Sequence, residues 1–329
     1  MRPTSLRAAR PRAIAGALLI TAPAAAAEGA APVSTPAPHA IAVASAPRSV
    51  RAGEPLAVRA TAPTALAGHL ARLEQRTSGG PWRSLAQAPV GPAGQVRFVA
   101  PAERSGLLRV SVAAVGVVGQ TRTGARAASA TPSVSSAPVL VAVGARLQVG
   151  AHRLSVLAGQ AAWIHGRVLP ATSGRRVVLE AIGVHGGWHQ IAGGRSDRGG
   201  RYRLAVTRGS AGVSRVRVRF PGDGQNAPAV RPLRPLEVFR AASVSTHGGS
   251  DGLDGSPLAC GGTLSSSTLG VADRTLPCGT RITLRHGGHE VRVPVVDRGP
   301  YVGDREYDLT SATAARLGVS GTGDVWTTG

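Results

Sequence analysis

Residues 280–301 read TRITLRHGGHEVRVPVVDRGPY, and this stretch decides the fold of the C-terminal part of the chain. Polar and apolar residues alternate from Thr280 to Arg285 and again from Glu290 to Val296, which is the period of a half-buried β-strand. The intervening His286-Gly287-Gly288-His289 is typical of a hairpin turn. The stretch therefore predicts a β-hairpin whose second strand ends at Asp297, where a Gly-Pro turn begins.

The residues that follow predict the rest of a small β-domain. Thr310 or Ser311 is suited to begin a short helix over Ala312–Leu317, because its hydroxyl can accept a hydrogen bond from the first helical turn. Gly318 is placed to end that helix. A final strand is predicted around Val325-Trp326.

The N-terminus predicts export. A segment with four arginines precedes an uncharged run over residues 13–27, which ends in Ala25-Ala26-Ala27. This is the order of a secretory signal peptide, and we predict one over residues 1–27. A membrane anchor is the alternative, but it needs about 18–20 apolar residues, and this run is shorter and diluted by alanine. We expect a secreted protein with no membrane span, which argues against a nucleic-acid partner.

The two cysteines, Cys260 and Cys278, agree with an oxidising compartment. An even pair in an exported chain is more often a disulfide than a metal site. On the chain-entropy account, so short a loop gives a stabilisation of about 3 kcal/mol. The nine histidines are scattered, so we predict a disulfide and no metal site.

Four motifs in a fixed order then make the C-terminal region recognisable. It resembles the RlpA-like (rare lipoprotein A) family of double-psi β-barrels, which are related to expansin and barwin domains. The motifs are ACGG at 259–262, RTLPCGT at 274–280, VDRGPY at 296–301 and YDLT at 307–310. The resemblance implies a six-stranded double-psi β-barrel over residues 258–329, in which the cysteine pair matches the disulfide-bearing variant of the family.

The resemblance also implies a reaction, the lytic transglycosylation of peptidoglycan. An acidic group protonates the glycosidic oxygen between N-acetylmuramic acid and N-acetylglucosamine. It then helps to deprotonate the muramyl 6-hydroxyl, which attacks C1 and gives a 1,6-anhydro end. The chemistry needs a carboxyl that stays protonated near the working pH and neighbours that stabilise oxocarbenium-like charge. No metal and no cofactor is required.

The aspartates of the motifs are the candidate catalytic residues. Asp297 matches the essential aspartate of the D-R-G-P motif, and Asp308 matches the aspartate of the D-L-S/T motif. Each has a structural alternative: Asp297 can cap its turn or pair with Arg298, and Asp308 can satisfy backbone N–H groups near the helix start. We expect Arg298, Tyr301 and Thr263 to bind substrate, although a packed turn aromatic is an equal interpretation of Tyr301.

Asp273 departs from the family pattern. The best-known enzymes of the family carry a histidine just before the R/K-T-L-P motif, and Asp273 stands at that place. An aspartate can donate or accept a proton, but a carboxyl in water is ionised at neutral pH. Asp273 is therefore a third catalytic candidate, with a solvated turn residue as the alternative.

The middle of the chain contains a duplication at an offset of 106 residues. Ser49–Glu54 reappears as Ser155–Gln160, and Trp82 maps onto Trp188. The same offset, with no gap, also maps Glu74 onto Glu180, Arg97 onto Arg203, Arg109 onto Arg215 and Val110 onto Val216. Short runs of period 2 between Gly, Pro, Asp and Ser predict two tandem Ig-like or fibronectin-like β-sandwiches. The tryptophans are core or sheet-face residues, or alternatively platforms on which a sugar stacks.

The predicted fold class is therefore all-β, with three domains. We place the sandwich modules at 41–120 and 138–240, ahead of the barrel. Stretches rich in Ala, Pro, Ser, Thr and Gly predict flexible linkers between the domains. These linkers are residues 28–40, 121–137 and 241–257.

Charge is divided between these domains. All 38 basic residues other than histidine are arginines. Residues 28–240 hold 27 of them against eight acidic residues, which gives +19, whereas residues 241–329 have a net charge of −2. We expect residues 41–240 to bind anionic wall polymers and the barrel to bind peptidoglycan glycan strands. The alternative function is that of an expansin-like protein that binds and loosens the wall without cleaving glycan.

Overall fold

The computed structural model describes residues 40–113, 133–183, 186–248 and 252–329. Within these ranges the chain is almost entirely β-structure, as predicted, with a single α-helix and one short 3-10 helix. No helix of the described ranges is long and apolar enough to cross a membrane.

Several predicted segments lie outside the described residues. These are the signal peptide (1–27), all but the last residue of the first linker, and residues 121–132 of the second linker.

The first module is a β-sandwich of nine strands and one 3-10 helix (Thr64–Leu66). Its strands are β1 (Ala42–Ser45), β2 (Ser49–Arg51), β3 (Pro55–Thr61), β4 (Leu70–Arg76), β5 (Arg83–Pro89), β6 (Gln95–Pro101), β7 (Gly106–Val112), β8 (Val134–Ser135) and β9 (Val139–Gly144). One sheet has the order β1-β3-β6, and the other has the order β2-β9-β7-β4-β5 with β8 paired to β7. Alternating residues of both sheets are buried in one core, as in β3, where every second residue is buried.

The second module repeats this arrangement. Its strands are β10 (Arg146–Arg153), β11 (Ser155–Leu157), β12 (Ala161–Leu169), β13 (Arg176–Ile182), β14 (Trp188–Arg195), β15 (Arg201–Thr207), β16 (Gly212–Ser214), β17 (Val216–Phe220), β18 (Ala229–Pro232) and β19 (Leu236–His247). One sheet has the order β10-β12-β15 and another has the order β14-β13-β17-β18, while β11 and β16 pair with β19. A second apolar core lies between the sheets.

The strands place the repeat in register over most of its length. β3, β4 and β6 recur as β12, β13 and β15 at the predicted offset of 106 residues. The assumption of no gap is wrong after β15. Glu74 lies opposite Arg109, but Glu180 lies opposite Arg217 rather than Arg215. The offset is 108 there, because the longer connection that contains β16 precedes β17 in the second module.

The C-terminal barrel contains six strands. They are the end of β19, β20 (Val271–Ala272), β21 (Arg281–His286), β22 (His289–Asp297), β23 (Tyr307–Thr310) and β24 (Gly323–Thr327). Their order is β19-β23-β20-β22-β21-β24, and the pairing of β24 with β19 closes the barrel. The predicted hairpin is β21-β22, and its second strand buries the three alternate valines of the sequence pattern, Val291, Val293 and Val295.

The predicted helix forms as α1 (Ser311–Leu317). Thr310 is its N-cap, with a side chain that accepts a hydrogen bond from the Thr313 N–H. Gly318 ends the helix in the left-handed conformation at φ 67°, which favours glycine.

Two of the predicted linkers contain β-strands in the residues that the structure describes. Residues 134–135 form β8 on the first module, and residues 139–144, expected in the second module, form β9 of the first. Residues 241–247, expected in a flexible linker, are the second half of β19. This strand pairs with β11 of the second module and then with β24 and β23 of the barrel. Ladder hydrogen bonds outweigh the weak local propensity of a Ser/Ala-rich stretch.

Candidate active site

Four side chains form a row across neighbouring barrel strands. Ala272 on β20 lies opposite Asp308 on β23 and Asp297 on β22, and Asp308 lies opposite Ser245 on β19. Val271, the preceding residue, belongs to the barrel core, so this row faces away from the core. Since adjacent strands are about 4.8 Å apart, the α-carbons of the two aspartates are roughly 10 Å apart. The sequence motifs are thus brought to one surface.

A β-bulge directs Asp297 into this row. The register between β20 and β22 shifts between the pairs Val271–Val295 and Ala272–Asp297, which leaves Val296 as the extra residue. A bulge changes the direction of the following side chain. The side chain of Val296 packs against Gly270, where an added Cβ would lie only 2.7 Å from the Val296 Cγ1 atom.

The carboxylate of Asp297 is held through one oxygen. Its Oδ1 accepts hydrogen bonds from the backbone N–H groups of Ala259 and Arg298, both at 2.8 Å. Within the described residues, no protein donor contacts Oδ2. The side chain is half-buried, so it is fixed in orientation while one oxygen remains available to exchange a proton.

The disulfide supports this arrangement. Cys260 and Cys278 are bonded, as predicted, with their α-carbons 5.5 Å apart. The Cys260 N–H donates to the Val296 carbonyl at 3.2 Å, next to the Ala259 N–H that holds Asp297. The bridge therefore anchors the segment that supplies one of the two donors to the Asp297 carboxylate.

Asp308 has a polar partner on the adjacent strand. The Ser245 hydroxyl donates to Asp308 Oδ1, in a short contact across β19 and β23. Asp308 is half-buried, and its neighbour Tyr307 is fully buried in the barrel, where burial raises the pKa of the Tyr307 hydroxyl. Sequence reasoning missed Ser245, because it lies in a stretch whose composition predicted a linker.

Asp273 forms a turn. Its Oδ1 accepts hydrogen bonds from the Thr275 N–H at 2.7 Å, the Leu276 N–H at 2.5 Å and the Thr275 hydroxyl at 3.3 Å. The residue is only 6 % exposed, so it is buried rather than solvated. Its own N–H donates to the Asp297 carbonyl at 3.2 Å. This geometry fits a residue that shapes the turn beside Asp297.

The three residues expected to bind substrate differ in their surroundings. The Arg298 guanidinium donates to the carbonyls of Asp273 and Leu276 at 3.0 and 2.8 Å, so it holds the turn rather than pointing freely to solvent. Tyr301 is 76 % exposed at the tip of the next loop. Thr263 is exposed and forms a single β-bridge with Pro257. Of the three, Tyr301 offers the largest open apolar surface.

The closed barrel and its row of aspartates define the C-terminal part as a double-psi β-barrel domain. Residues 245–326 match the family model described as "Lytic transglycolase". This part of the chain is therefore an RlpA-like lytic transglycolase domain.

Curated relatives agree over the same region. "Probable endolytic peptidoglycan transglycosylase RlpA" of Nostoc sp. is 33 % identical over 116 residues, which is 34 % of this chain and 31 % of that protein. The protein of that name from Synechocystis sp. is 38 % identical over 109 residues, 30 % of this chain and 34 % of its own. The one from Treponema pallidum is 37 % identical over 70 residues, 21 % of this chain and 22 % of its own. The chain thus spans about a third of the first two relatives.

Among solved structures, a tetra-tandem repeat from the extending region of a large adhesion protein aligns with 82 % of this chain and 63 % of its own. The TM-score is 0.32 and the sequence identity is 13 %. These values are too low for that likeness to carry an argument about either fold or function.

Proposed function

We propose that the barrel is a peptidoglycan lytic transglycosylase with Asp297 as its acid and base. The observation that carries this proposal is the Asp297 carboxylate, which has one oxygen fixed by two backbone donors and the other without a partner in the part of the chain that the structure describes. Asp297 lies in a barrel that matches the lytic transglycolase family, and the names of the relatives state this activity.

The proposed reaction uses one carboxyl twice. The Asp297 carboxyl donates its proton to the glycosidic oxygen as the bond from C1 of N-acetylmuramic acid to that oxygen breaks. The resulting carboxylate accepts the proton of the muramyl 6-hydroxyl as O6 bonds to C1. The product has a 1,6-anhydro end, and no water is consumed. The negative charge of Asp308, oriented by Ser245, stabilises the oxocarbenium-like charge at C1.

Asp273 has a positioning role in this proposal. The hydrogen bonds to its Oδ1 stabilise the turn to which the Arg298 guanidinium donates. Its own N–H donates to the Asp297 carbonyl. The place at which the family resemblance implies a histidine is then occupied by a residue that stabilises a turn. The same observation favours the second candidate function, an expansin-like protein that binds glycan without cleaving it.

One experiment separates the two functions. Peptidoglycan, both intact and stripped of stem peptides, is incubated with the wild-type chain and with Asp297→Asn, and the products are analysed by mass spectrometry. We expect 1,6-anhydromuramyl ends with the wild type only. Asp324→Asn is the matched control, because Asp324 is an exposed aspartate of the same barrel, on β24. If the wild type pellets with the glycan and leaves it uncut, the enzyme proposal fails and the expansin-like function stands.

We also propose that the protein is secreted and that the two basic modules hold it to anionic polymers of the wall. This rests on the predicted signal peptide and on the charge of +19 over residues 28–240. Screening weakens attraction between exposed charges, so salt should release the chain from purified walls. Release is measured by sedimentation between low and high ionic strength. Binding that is unchanged by salt would exclude an electrostatic tether.

A further inference from the structure

The acidic partners of the arginines are divided unevenly between the sheets of the two sandwich modules. Glu74 pairs with Arg109 at 2.8 Å, and Glu180 pairs with Arg217 at 2.7 Å and with Arg219 at 3.3 Å. These pairs all lie on the sheets that contain β4 and β13. The strands of the two three-stranded sheets, β1-β3-β6 and β10-β12-β15, contain no acidic residue. They carry seven arginines: Arg59, Arg97, Arg146, Arg153, Arg167, Arg201 and Arg203.

Five of these seven form what we call the arginine face, the outer side of the β10-β12-β15 sheet. Alternate residues such as Tyr202 and Leu204 are buried in the core, and the arginines between and around them are exposed. Across the described ranges, none of the five takes part in an ion pair. The nearest acidic residue along the strands, Asp197, is used in a turn, where its carboxylate accepts the Arg201 N–H at 2.8 Å. The face consists of Arg146, Arg153, Arg167, Arg201 and Arg203, with His165 and Trp163 between them.

Like charges stand directly opposite one another on this face. Arg167 lies opposite Arg201 on the neighbouring strand, so two guanidinium charges face each other, and the imidazole of His165 lies opposite Arg203. The Cβ atoms of such pairs are about 5 Å apart, and like charges in these positions are destabilising. An anion bound between the guanidinium groups would relieve this repulsion. The Arg203 guanidinium lies 3.6 Å from the ring centroid of Trp163, so this arginine is already held in place.

The duplication repeats the central pair. In the first module Arg59 lies opposite Arg97, at the positions that correspond to His165 and Arg203. Two basic residues therefore oppose each other at the same place in both modules, again on strands without an acid.

We propose that the arginine face binds a linear phosphodiester polymer of the cell wall. Guanidinium groups bind phosphate oxygens in a bidentate manner, and rows of them on a strand recur at roughly 7 Å, every second residue. Arg153 also lines a cleft of about 780 Å³ with Arg234 and with Arg285 of the barrel. Glu237 and Glu290 line the same cleft and pair with Arg285, so the arginine face is confined to the β10-β12-β15 sheet. This assignment rests on the proposed wall attachment and does not depend on glycan cleavage.

The test uses two double variants of the full chain that change the net charge equally. Arg167→Gln with Arg201→Gln removes the opposed pair on the arginine face. Arg176→Gln with Arg195→Gln removes an opposed, exposed pair on the other sheet of the same module. Affinity for linear poly(glycerol phosphate) is measured by isothermal titration calorimetry, with hyaluronate as a carboxylate polymer and double-stranded DNA as further probes. Thermal unfolding confirms that both variants fold.

We expect the face variant to bind poly(glycerol phosphate) about tenfold more weakly and with a smaller salt dependence, and the control variant to stay within about twofold of wild type. Equal loss in both variants means that net charge alone is recognised and overturns the assignment, as does wild-type affinity of the face variant. Tighter binding of hyaluronate overturns the phosphodiester as the recognised group, and tighter binding of DNA overturns the wall polymer as the ligand. Release of 1,6-anhydro ends from glycan strands free of anionic polymer is measured in parallel, so a failure of the cleavage proposal is seen separately.

Discussion

At the scale of single residues, the three candidate catalytic aspartates have three different environments. The Ala259 N–H that donates to Asp297 and the serine beside Asp308 come from distant segments, whereas the hydrogen bonds of Asp273 lie within its own turn. The sequence identifies these residues as candidates but does not show which of them is catalytic, because each position is compatible with both a catalytic and a structural role. Ser245 carries no motif at all, since one serine in a Ser/Gly-rich stretch has no distinguishing local signal.

Substitution of Asp273 distinguishes its two roles. An asparagine keeps an Oδ1 acceptor for the Thr275 and Leu276 N–H groups, so Asp273→Asn should retain the stability and most of the glycan-cleaving activity. Asp273→Ala leaves these donors without a partner in a buried turn and should lower the free energy of unfolding by about 1–3 kcal/mol. Denaturant unfolding and anhydromuramyl release measure the two effects. Loss of activity in Asp273→Asn with unchanged stability would instead assign it a proton-transfer role.

At the scale of secondary-structure elements, the sequence predicted what is local. The β21-β22 hairpin, the helix with its Thr310 and Gly318 caps and the final strand all follow from residues close in sequence. The row of Ser245, Asp308, Ala272 and Asp297 does not, because its ladders join segments distant in sequence, and β20 is only two residues long. The bulge at Val296 also does not change the alternating pattern of the β22 sequence, so the sequence did not predict it.

The bulge gives a prediction about Gly270. A methyl group at this position would overlap the side chain of Val296, whose β-branched shape leaves it little freedom to move. Gly270→Ala should therefore cost about 1–3 kcal/mol in unfolding free energy and reduce activity by turning Asp297 out of the row. Gly323→Ala is the control, because nothing lies within 4 Å of an added Cβ at this glycine of β24. Equal effects of both variants on activity would contradict a role for the bulge.

At the scale of the whole molecule, strands rather than flexible tethers connect the parts that the structure describes. β9 ends at Gly144 and β10 begins at Arg146, and β19 runs from the second module into the barrel. Arg285 of the barrel donates to Ser155 at 3.1 Å and lies 3.7 Å from Glu237, both in the second module. Composition predicted a linker at residues 241–257 because it reports local propensity, whereas pairing with distant strands decides the conformation of β19.

The loop between β17 and β18 joins the two modules. The Asn226 side chain donates to the carbonyls of Glu103 and Val143 in the first module, at 2.7 and 3.2 Å. The buried Arg175 of the second module donates to the Asn226 side-chain oxygen at 2.8 Å and to Asp223 at 2.9 Å. This network holds a loop that contacts both modules. The charge on Asp223 should therefore affect the stability of the assembled modules.

The charge state of Asp223 makes that stability depend on pH. Partial burial by itself raises the pKa of Asp223, but hydrogen bonds from Arg175 and from the Gln225 and Asn226 N–H groups lower it below its ordinary value of 3.8. Because the folded pKa lies below the unfolded one, Asp223 stabilises the fold fully above the unfolded pKa. This contribution is lost as the pH falls through the folded pKa.

The melting temperature of wild type should therefore exceed that of Asp223→Asn at neutral pH, where the variant leaves the buried Arg175 charge without its carboxylate. The two should converge only at a pH below the folded pKa of Asp223, where wild type also loses that carboxylate charge. Asp324→Asn controls for the removal of one acidic group. A difference in melting temperature that persists unchanged into acid would mean that Asp223 acts through its shape alone and that the junction between the modules does not respond to pH.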